Sequence, residues 1–586
     1  MAAIISEKFR IFNAKQFLES LSEGANDAAT DRTRMYFFVG RSSSWSAYLE
    51  IFNVVGTFQV GETVSGGGWS GQVSKVYSNS LLVSNVLPTS TTTPAFGTTI
   101  TGGTSTATAK SGVYRYATEE VPPAPLDNQT EKQAIYNELI AAKRITSPFA
   151  RLVVPRYNWN LTLNPVFDMY RPNYSPTPGG GGAIGIQTAN GSSSLATSKF
   201  YVMNSRYEVF KCLYNGQRPS NPQGQNATYE PTSQPVAGQG TFVNGIFKEP
   251  SGTAGYIWKH MYTLTTGDVL AFLSSDFMPI AEASEASRVA VQAAAIPGAI
   301  HVAVVRNAGS GLPANATLYT RVYGDGSNGI VKFTTDGSGA VTSATMEDIG
   351  SGYTYGNLVL VTGKVYTDAA LTTAAAAFTG TASIEVVISP EGGHGSNAEM
   401  ELFAKRVMTN IRLTYDEGFG DFPVDNDFRR IGIIQDPLQY GSSSFATNNT
   451  LRGTSVLKIN GATANYNVDE VISQTVTGGT AYGTVVSWDS TNGILKYFQS
   501  PQIHADAGVV RAFASNASNA VVGASSLASG TVDTAQNTIL SDISFTGGLA
   551  SPEIQPNSGE VVYIENRRQI TRAPDQIEDI KLVIEF

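Results

Sequence analysis

The end of this chain alternates. Ile580, Leu582, Ile584 and Phe586 are apolar, Lys581 and Glu585 between them are charged, and only Val583 breaks the pattern. A period of two describes a strand with one buried face. The run therefore predicts that the chain finishes as part of a sheet. Val561 to Ile564 is a second short apolar run. The polar cluster Glu565, Asn566, Arg567 and Arg568 follows it, and Pro574 interrupts the chain before the last strand. The whole segment reads as strand, bend, strand.

The same grammar of short apolar runs punctuated by glycine recurs upstream. Arg34 to Val39, Tyr207 to Tyr214 and Gly255 to Leu264 read as strands. Val54 to Val60, Gln72 to Val76 and Leu81 to Val86 follow one another between Gly66-Gly67-Gly68 and Gly102-Gly103, as expected of a small barrel or sandwich. A second copy is legible near residues 456–530. Phe58-Gln-Val-Gly-Glu62 is echoed by Tyr466-Asn-Val-Asp-Glu470, and Gly71-Gln-Val73 by Gly483-Thr-Val485. Residues 297–388 are a further glycine-rich β region, in which Leu318 to Tyr323 and Ile330 to Phe333 are strand-like.

Three helices are expected. They are Ser6 to Ser22, with Phe9, Phe12, Phe17 and Leu18 as its apolar residues, Gln129 to Arg144, and Glu399 to Met408. The predicted class is mainly β with a few short helices (α+β): a multi-domain, β-sandwich-like core carrying inserted β modules. The expected division is core at 1–53, 113–296, 389–450 and 546–586. The insertions are expected at 54–112, 297–388 and 451–545, the last similar to the first. Gly179 to Gly182 reads as a flexible tip and Pro122 to Pro125 as a linker.

Composition narrows the function classes. Charged residues are only 15% of 586, below the usual ~25%, and the net charge is −9 with no Lys/Arg run. That balance disfavours broad contact with nucleic acid. No apolar stretch approaches the ~20 residues of a membrane span, and the N-terminus has no signal-peptide pattern. A single cysteine, Cys212, excludes an internal disulfide and reads as a small buried hydrophobe.

Catalytic patterns are weak. Gly324-Asp-Gly-Ser-Asn-Gly329 fits G-x-G-x-x-G, but a strand-like run follows where a dinucleotide site needs a helix. The run is therefore expected to be a hairpin turn. The histidines, His260, His301, His394 and His504, form no local metal motif. Asp416, Glu417 and Asp421 share one polar loop and read as solvated. Asp325 and Asp336 lie beside glycines without an EF-hand ladder. No catalytic residue, metal ligand or cofactor site is expected.

Arginines beside aromatics read instead as protein-contact candidates, because these residue types are enriched where surfaces lock together. They are Arg41 with Trp45, Arg156 with Trp159, and the Glu565, Asn566, Arg567 and Arg568 bend. The alternative for each tryptophan is a core position with its arginine satisfied locally. His394, in Gly392-Gly-His-Gly395, is expected to be exposed or capping a helix, with a subunit contact as the sharper reading.

Several of these segments resemble one family, the baseplate wedge subunit of contractile-tailed phages of the gene-product-eight type. The resemblance is carried in order by Lys8-Phe9-Arg10, Gly40-Arg-Ser-x-x-Trp-Ser46, Val-Pro-Arg-x-x-Trp159, Val209-Phe-Lys-Cys-Leu213 and Gly255-Tyr-x-Trp258. Phe428-Arg-x-Ile-x-Ile-Ile434 with Pro437-Leu438 follows. The last match holds Gly559, Glu560, Tyr563, Glu565, Asn566, Arg567, Asp575, Gln576, Glu578, Ile580 and Phe586. About half of the chain is covered. The resemblance implies a non-enzymatic virion structural protein that forms a homodimer, contacts other wedge proteins and supports the rearrangement that triggers tail contraction. It also implies assembly in the bacterial cytoplasm and no cofactor. The insertions leave a second class open, a tail protein that binds or degrades host glycan.

Overall fold

The computed structural model describes residues 5–21, 33–77, 79–89, 94–160, 166–171, 194–413, 428–569 and 578–586. The chain is mainly β, with several separate sheets. It divides into two compact units. One comprises Met1–Glu19, Pro148–Asn410 and Lys581–Phe586, and the other Ser20–Ser147 and Ile411–Ile580. The expected bend at Pro574 and the tip at Gly179 to Gly182 lie outside the described residues, as do Asp416, Glu417, Asp421, Asp575 and Gln576.

In the second unit a five-stranded sheet runs in the order Thr450–Arg452, Leu139–Ile145, Met35–Gly40, Arg430–Gln435, Glu560–Asn566. Every residue of the central strand Met35–Gly40 is buried, which explains its unbroken apolar run. Phe37 sits opposite Lys143 on one side and Ile433 on the other. Tyr36, Phe38, Leu139, Ile434 and Leu451 form a core closed by Ile135 and Tyr136 of the helix Gln129–Asn137. Asn128 caps that helix, its side chain accepting from the Glu131 amide at 2.8 Å.

The helix expected to reach Arg144 ends at Asn137, and Leu139–Ile145 is a strand. Leu139 to Ala142 are four consecutive buried residues, the signature of a strand covered on both faces. Pairing on both edges overrides the helical propensity of Ala-Ala-Lys-Arg.

Two closed six-stranded barrels belong to the same unit. The first uses Ala47–Val55, Thr63–Gly66, Trp69–Val76, Ser80–Leu87, Thr99–Gly102 and Thr108–Arg115. The expected strand Val54 to Val60 is displaced: the strand starts at Ala47 and stops at Val55. The second barrel uses Ser455–Asn460, Val471–Val476, Gly479–Asp489, Ile494–Phe498, Val521–Gly523 and Ser529–Val532, with Leu549–Ala550 added at one strand. Numbered along the chain, both rings close in the order 1-4-3-2-5-6.

The repeat extends to single hydrogen bonds. The Glu62 carboxylate accepts from the amides of Gln59, Thr104 and Ser105 at 2.7, 3.0 and 2.8 Å. That of Glu470 accepts from Asn467, Ser525 and Ser526 at 2.8, 2.9 and 2.8 Å. Val73 N donates to Glu62 O at 2.8 Å, and Val485 N to Glu470 O at 2.9 Å. A buried glutamate thus clasps the loop between the fifth and sixth strands in each barrel. Gly102 and Gly523 start those loops, and a Cβ on either would come within 2.7 and 2.5 Å of the clasping carboxylate.

In the first unit one five-stranded sheet runs Tyr201–Met203, Glu208–Tyr214, Ile257–Thr263, Ile246–Lys248, Thr241–Val243. A four-stranded sheet runs Phe277–Pro279, Ala150–Pro155, Arg406–Leu413, Glu578–Glu585. The chain's last strand therefore lies at a sheet edge, with Ile580 and Leu582 buried on the alternating face. The expected helix Glu399 to Met408 is one turn, Ala398–Glu401. Arg406–Leu413 is a strand because Val407 pairs with Leu152. The N-terminal helix Glu7–Ser20 buries Ile11 and Ala14, while Phe9 and Phe12 of the expected apolar side are more than half exposed.

Residues 300–388 build one core from Ile300, Leu318, Val331, Phe333, Tyr353 and Val386. Within it, Thr317–Gly324 pairs antiparallel with Ser327–Thr335, so Gly324 to Gly329 forms the hairpin connection. Asp325 accepts from the Thr354 and Tyr355 amides at 2.9 and 3.2 Å, which ties that turn to its neighbour.

Candidate functional site

The strand Met35–Gly40 delivers Arg41 into a left-handed conformation, φ 58°, directly after Gly40. A Cβ on Gly40 would stand 2.8 Å from the Glu138 carbonyl oxygen, so the close approach of the two chains requires glycine there. The Arg41 amide donates to that carbonyl at 2.9 Å, and its guanidinium meets Glu138 Oε1 at 2.8 Å. The same guanidinium lies 4.1 Å from the Trp45 ring centroid, within cation–π range.

Arg430, almost fully buried, completes the arrangement. Its guanidinium reaches Glu131 Oε1 at 2.5 Å, Glu138 Oε2 at 3.3 Å and Asn566 Oδ1 at 3.0 Å, and stands 5.6 Å from the Trp45 ring. Burial pulls Arg430 below its ordinary pKa, and Glu138 and Glu131 oppose that shift. Trp45 Nε1 donates to the Arg567 carbonyl at 2.9 Å, and its amide donates to the Glu119 carboxylate. Arg429 Nε donates to Glu119 at 3.0 Å, and the Arg567 amide to the Arg429 carbonyl at 2.8 Å. Three segments far apart in sequence, around Arg41, Arg430 and Arg567, are thereby knotted to the acidic residues Glu119, Glu131 and Glu138.

Of the expected contact residues, the knot gathers Arg41, Trp45, Asn566 and Arg567. Trp45 is buried and the arginines beside it are ion-paired within the chain, with Arg41 Nε left unpartnered, which is the core alternative rather than an open contact surface. Glu565 accepts from the Tyr563 hydroxyl at 2.9 Å; burial and then Glu565 push that phenol up to about 12. Arg568 is the exposed member, paired with an exposed Glu120 at 3.0 Å.

Arg156 and Trp159 belong to the first unit. Arg156 is held by Asn158 Oδ1 at 2.8 Å and the Ser274 carbonyl at 2.6 Å, and Trp159 stacks on Phe167 with centroids 5.8 Å apart. His394, expected to be exposed or capping, is buried instead. Its ring stands edge-on to Tyr170 at 4.9 Å and to His301 at 5.3 Å. The glycines on both sides, with φ of 96° and 91°, fold the loop inward in a way no other residue type adopts freely.

Arg429 carries part of the resemblance, but Glu119, Glu131, Glu138 and Arg430 were not singled out from sequence. Their signal is present for the arginines: two adjacent charges begin the apolar run Ile431-Gly-Ile-Ile434, a placement that demands buried partners. Cys212 is buried, and its thiol is pushed up by that burial. Among the described residues no group of three or more His, Cys, Asp or Glu side chains could hold a metal ion, and no helix is long and apolar enough to cross a membrane.

The fold and the knot define a multi-module β protein whose dispersed segments are cross-tied by buried ion pairs. No known family model matches the sequence, and no curated protein matches it significantly.

Proposed function

We propose that this chain is a structural subunit of a contractile phage tail, a baseplate wedge component. The observation that carries the reading is the knot. The segments Gly40 to Ser46, Phe428 to Ile434 and Gly559 to Arg567 bear separate parts of the resemblance, and they converge on one buried network. Segments that resemble a family by chance have no reason to meet in space. Two strands, Glu560–Asn566 and Glu578–Glu585, lie at the edges of their sheets, positions from which protein assemblies can extend a sheet. In this role the subunit dimerises, contacts other wedge proteins and takes part in the rearrangement before sheath contraction.

The test is location and mass. Gold labelling of a tagged chain on purified tails is expected to mark the baseplate, and light scattering on the isolated chain is expected to give twice the chain mass. Label on the tail fibres alone, or a monomer at all concentrations, counts against the proposal.

One observation favours a second reading, glycan binding. Phe96 on the first barrel is 76% exposed and stacks on Phe52 with centroids 5.5 Å apart. An exposed aromatic face can receive a sugar ring. Retention of host envelope polysaccharide that is lost in Phe96→Ala would support this role.

A further inference from the structure

Within the first unit, Lys211 and Lys259 stand directly opposite each other on adjacent antiparallel strands, Glu208–Tyr214 and Ile257–Thr263. Both are buried. Like charges in that register repel, and burial multiplies the cost. Among the described residues one carboxylate answers them. Glu401 pairs with Lys211, while its other oxygen accepts from the amides of Gly395 and Asn397 at 2.8 and 3.2 Å. Lys211 also faces the Tyr170 ring at 4.9 Å. No acceptor among the described residues receives the Lys259 ammonium.

Two imidazoles complete the group. His394 contacts His301, and Nδ1 of each is buried without a hydrogen-bond partner. Burial, then the neighbouring lysines, brings His301 down to about 4 and His394 well below its ordinary value. A neutral imidazole carries one N–H, which it can present from Nδ1. Buried polar atoms in native proteins are satisfied by protein, water or an ion. Here the unmet Nδ1 atoms lie in a group that holds two buried lysines, in a chain whose net charge is −9.

Two glycines pack directly against Lys259. A Cβ on Gly245, the turn residue beside it, would come within 3.1 Å of Nζ. At Gly395 a Cβ would lie 3.3 Å from the Lys259 Cε.

We propose that Lys211, Lys259, His301 and His394 form a binding site for one small inorganic oxyanion, phosphate or sulfate. The two ammonium groups supply the charge and the two imidazoles donate N–H bonds. The bound ion neutralises the repulsion between the facing lysines and fastens the Gly392 to Gly395 loop onto the sheet.

The test uses the full chain purified in Tris-chloride and unfolded thermally at constant ionic strength. Millimolar phosphate or sulfate is expected to raise Tm by about 2–4 °C over chloride. Lys259→Met removes the facing charge and is expected to abolish that rise. Should this variant not fold, His301→Gln, at the less buried edge of the group, is expected to at least halve the rise. Equal Tm in phosphate and chloride, or a rise undiminished in the variants, overturns the site.

Discussion

At the scale of single residues, Glu62 and Glu470 give the sharpest expectations. Each carboxylate collects three backbone amides and hydroxyls besides. Burial pushes each carboxyl up, but the bonds from Ser105, Gln59 and Thr104, and from Ser526, Asn467 and Ser525, outweigh it and hold both below the ordinary 4.5. A lowered folded value means that the stabilisation is complete above the ordinary carboxyl range and lost as pH falls through the folded value. Glu62→Gln and Glu470→Gln are each expected to cost about 1–3 kcal/mol in urea unfolding at pH 7. Each should also flatten the acid limb of the stability profile. Hydrogen exchange is expected to quicken at Thr104 and Ser105 in the first variant and at Ser525 and Ser526 in the second. Unchanged exchange in those loops would show that the clasp is not what orders them. The pentads holding these glutamates were legible in sequence because Val and Glu recur at the same spacing behind an aromatic and an amide residue. Their serine partners were not, because they lie far downstream and only the ring order of the strands brings them back.

At the scale of elements, the knot decides how a sheet, a helix and two loops stay in register. Arg430→Met leaves Glu131 and Glu138 facing a buried apolar side chain. Glu138 keeps Arg41, and Glu131 keeps only Arg115 at 3.9 Å. Breaking one side of a buried pair costs about 3–5 kcal/mol, so this variant is expected to lower the denaturation midpoint strongly. Arg568→Met, whose pair with Glu120 is exposed, is expected to cost no more than ~1 kcal/mol. Equal losses in the two variants would contradict the buried network. The sequence showed Arg41, Trp45 and the bend at Glu565 to Arg568 as notable, and left a subunit contact and, for Trp45, a core position both open. Pairing partners separated by hundreds of residues are invisible to local spacing. The same limit explains the helix expected over Gln129 to Arg144. Its second half has helical composition, and only two flanking strands make Leu139–Ile145 extended.

At the scale of the whole molecule, the modular grammar of glycine-bounded strands was readable, but the seams were not. The first insertion was expected at 54–112, whereas its barrel strands run from Ala47 to Arg115, because closing the ring uses the chain on both sides of the glycine-rich stretch. Those seams make a deletion rational. Tyr48 pairs directly with Arg115. Directly opposed residues of an antiparallel pair lie about 4.5–5.5 Å apart, and two residues in a tight hairpin turn join them. Replacing residues 49–114 by Asn-Gly therefore bridges the gap without moving Arg41, Trp45, Glu119, Glu131 or Glu138. The barrel also keeps its own core, with Leu49, Trp69, Val83 and Ile100 among its buried residues. The shortened chain is expected to fold, to keep a cooperative transition and to have as many chains per particle as the full-length protein. Loss of cooperative unfolding would show that the barrel is part of the host core. If the shortened chain folds, complementation of tail assembly separates the roles. Tails that fail to form place the barrel in the scaffold, and tails that form but no longer adsorb to cells place it in host recognition, where Phe96 is the residue to change next.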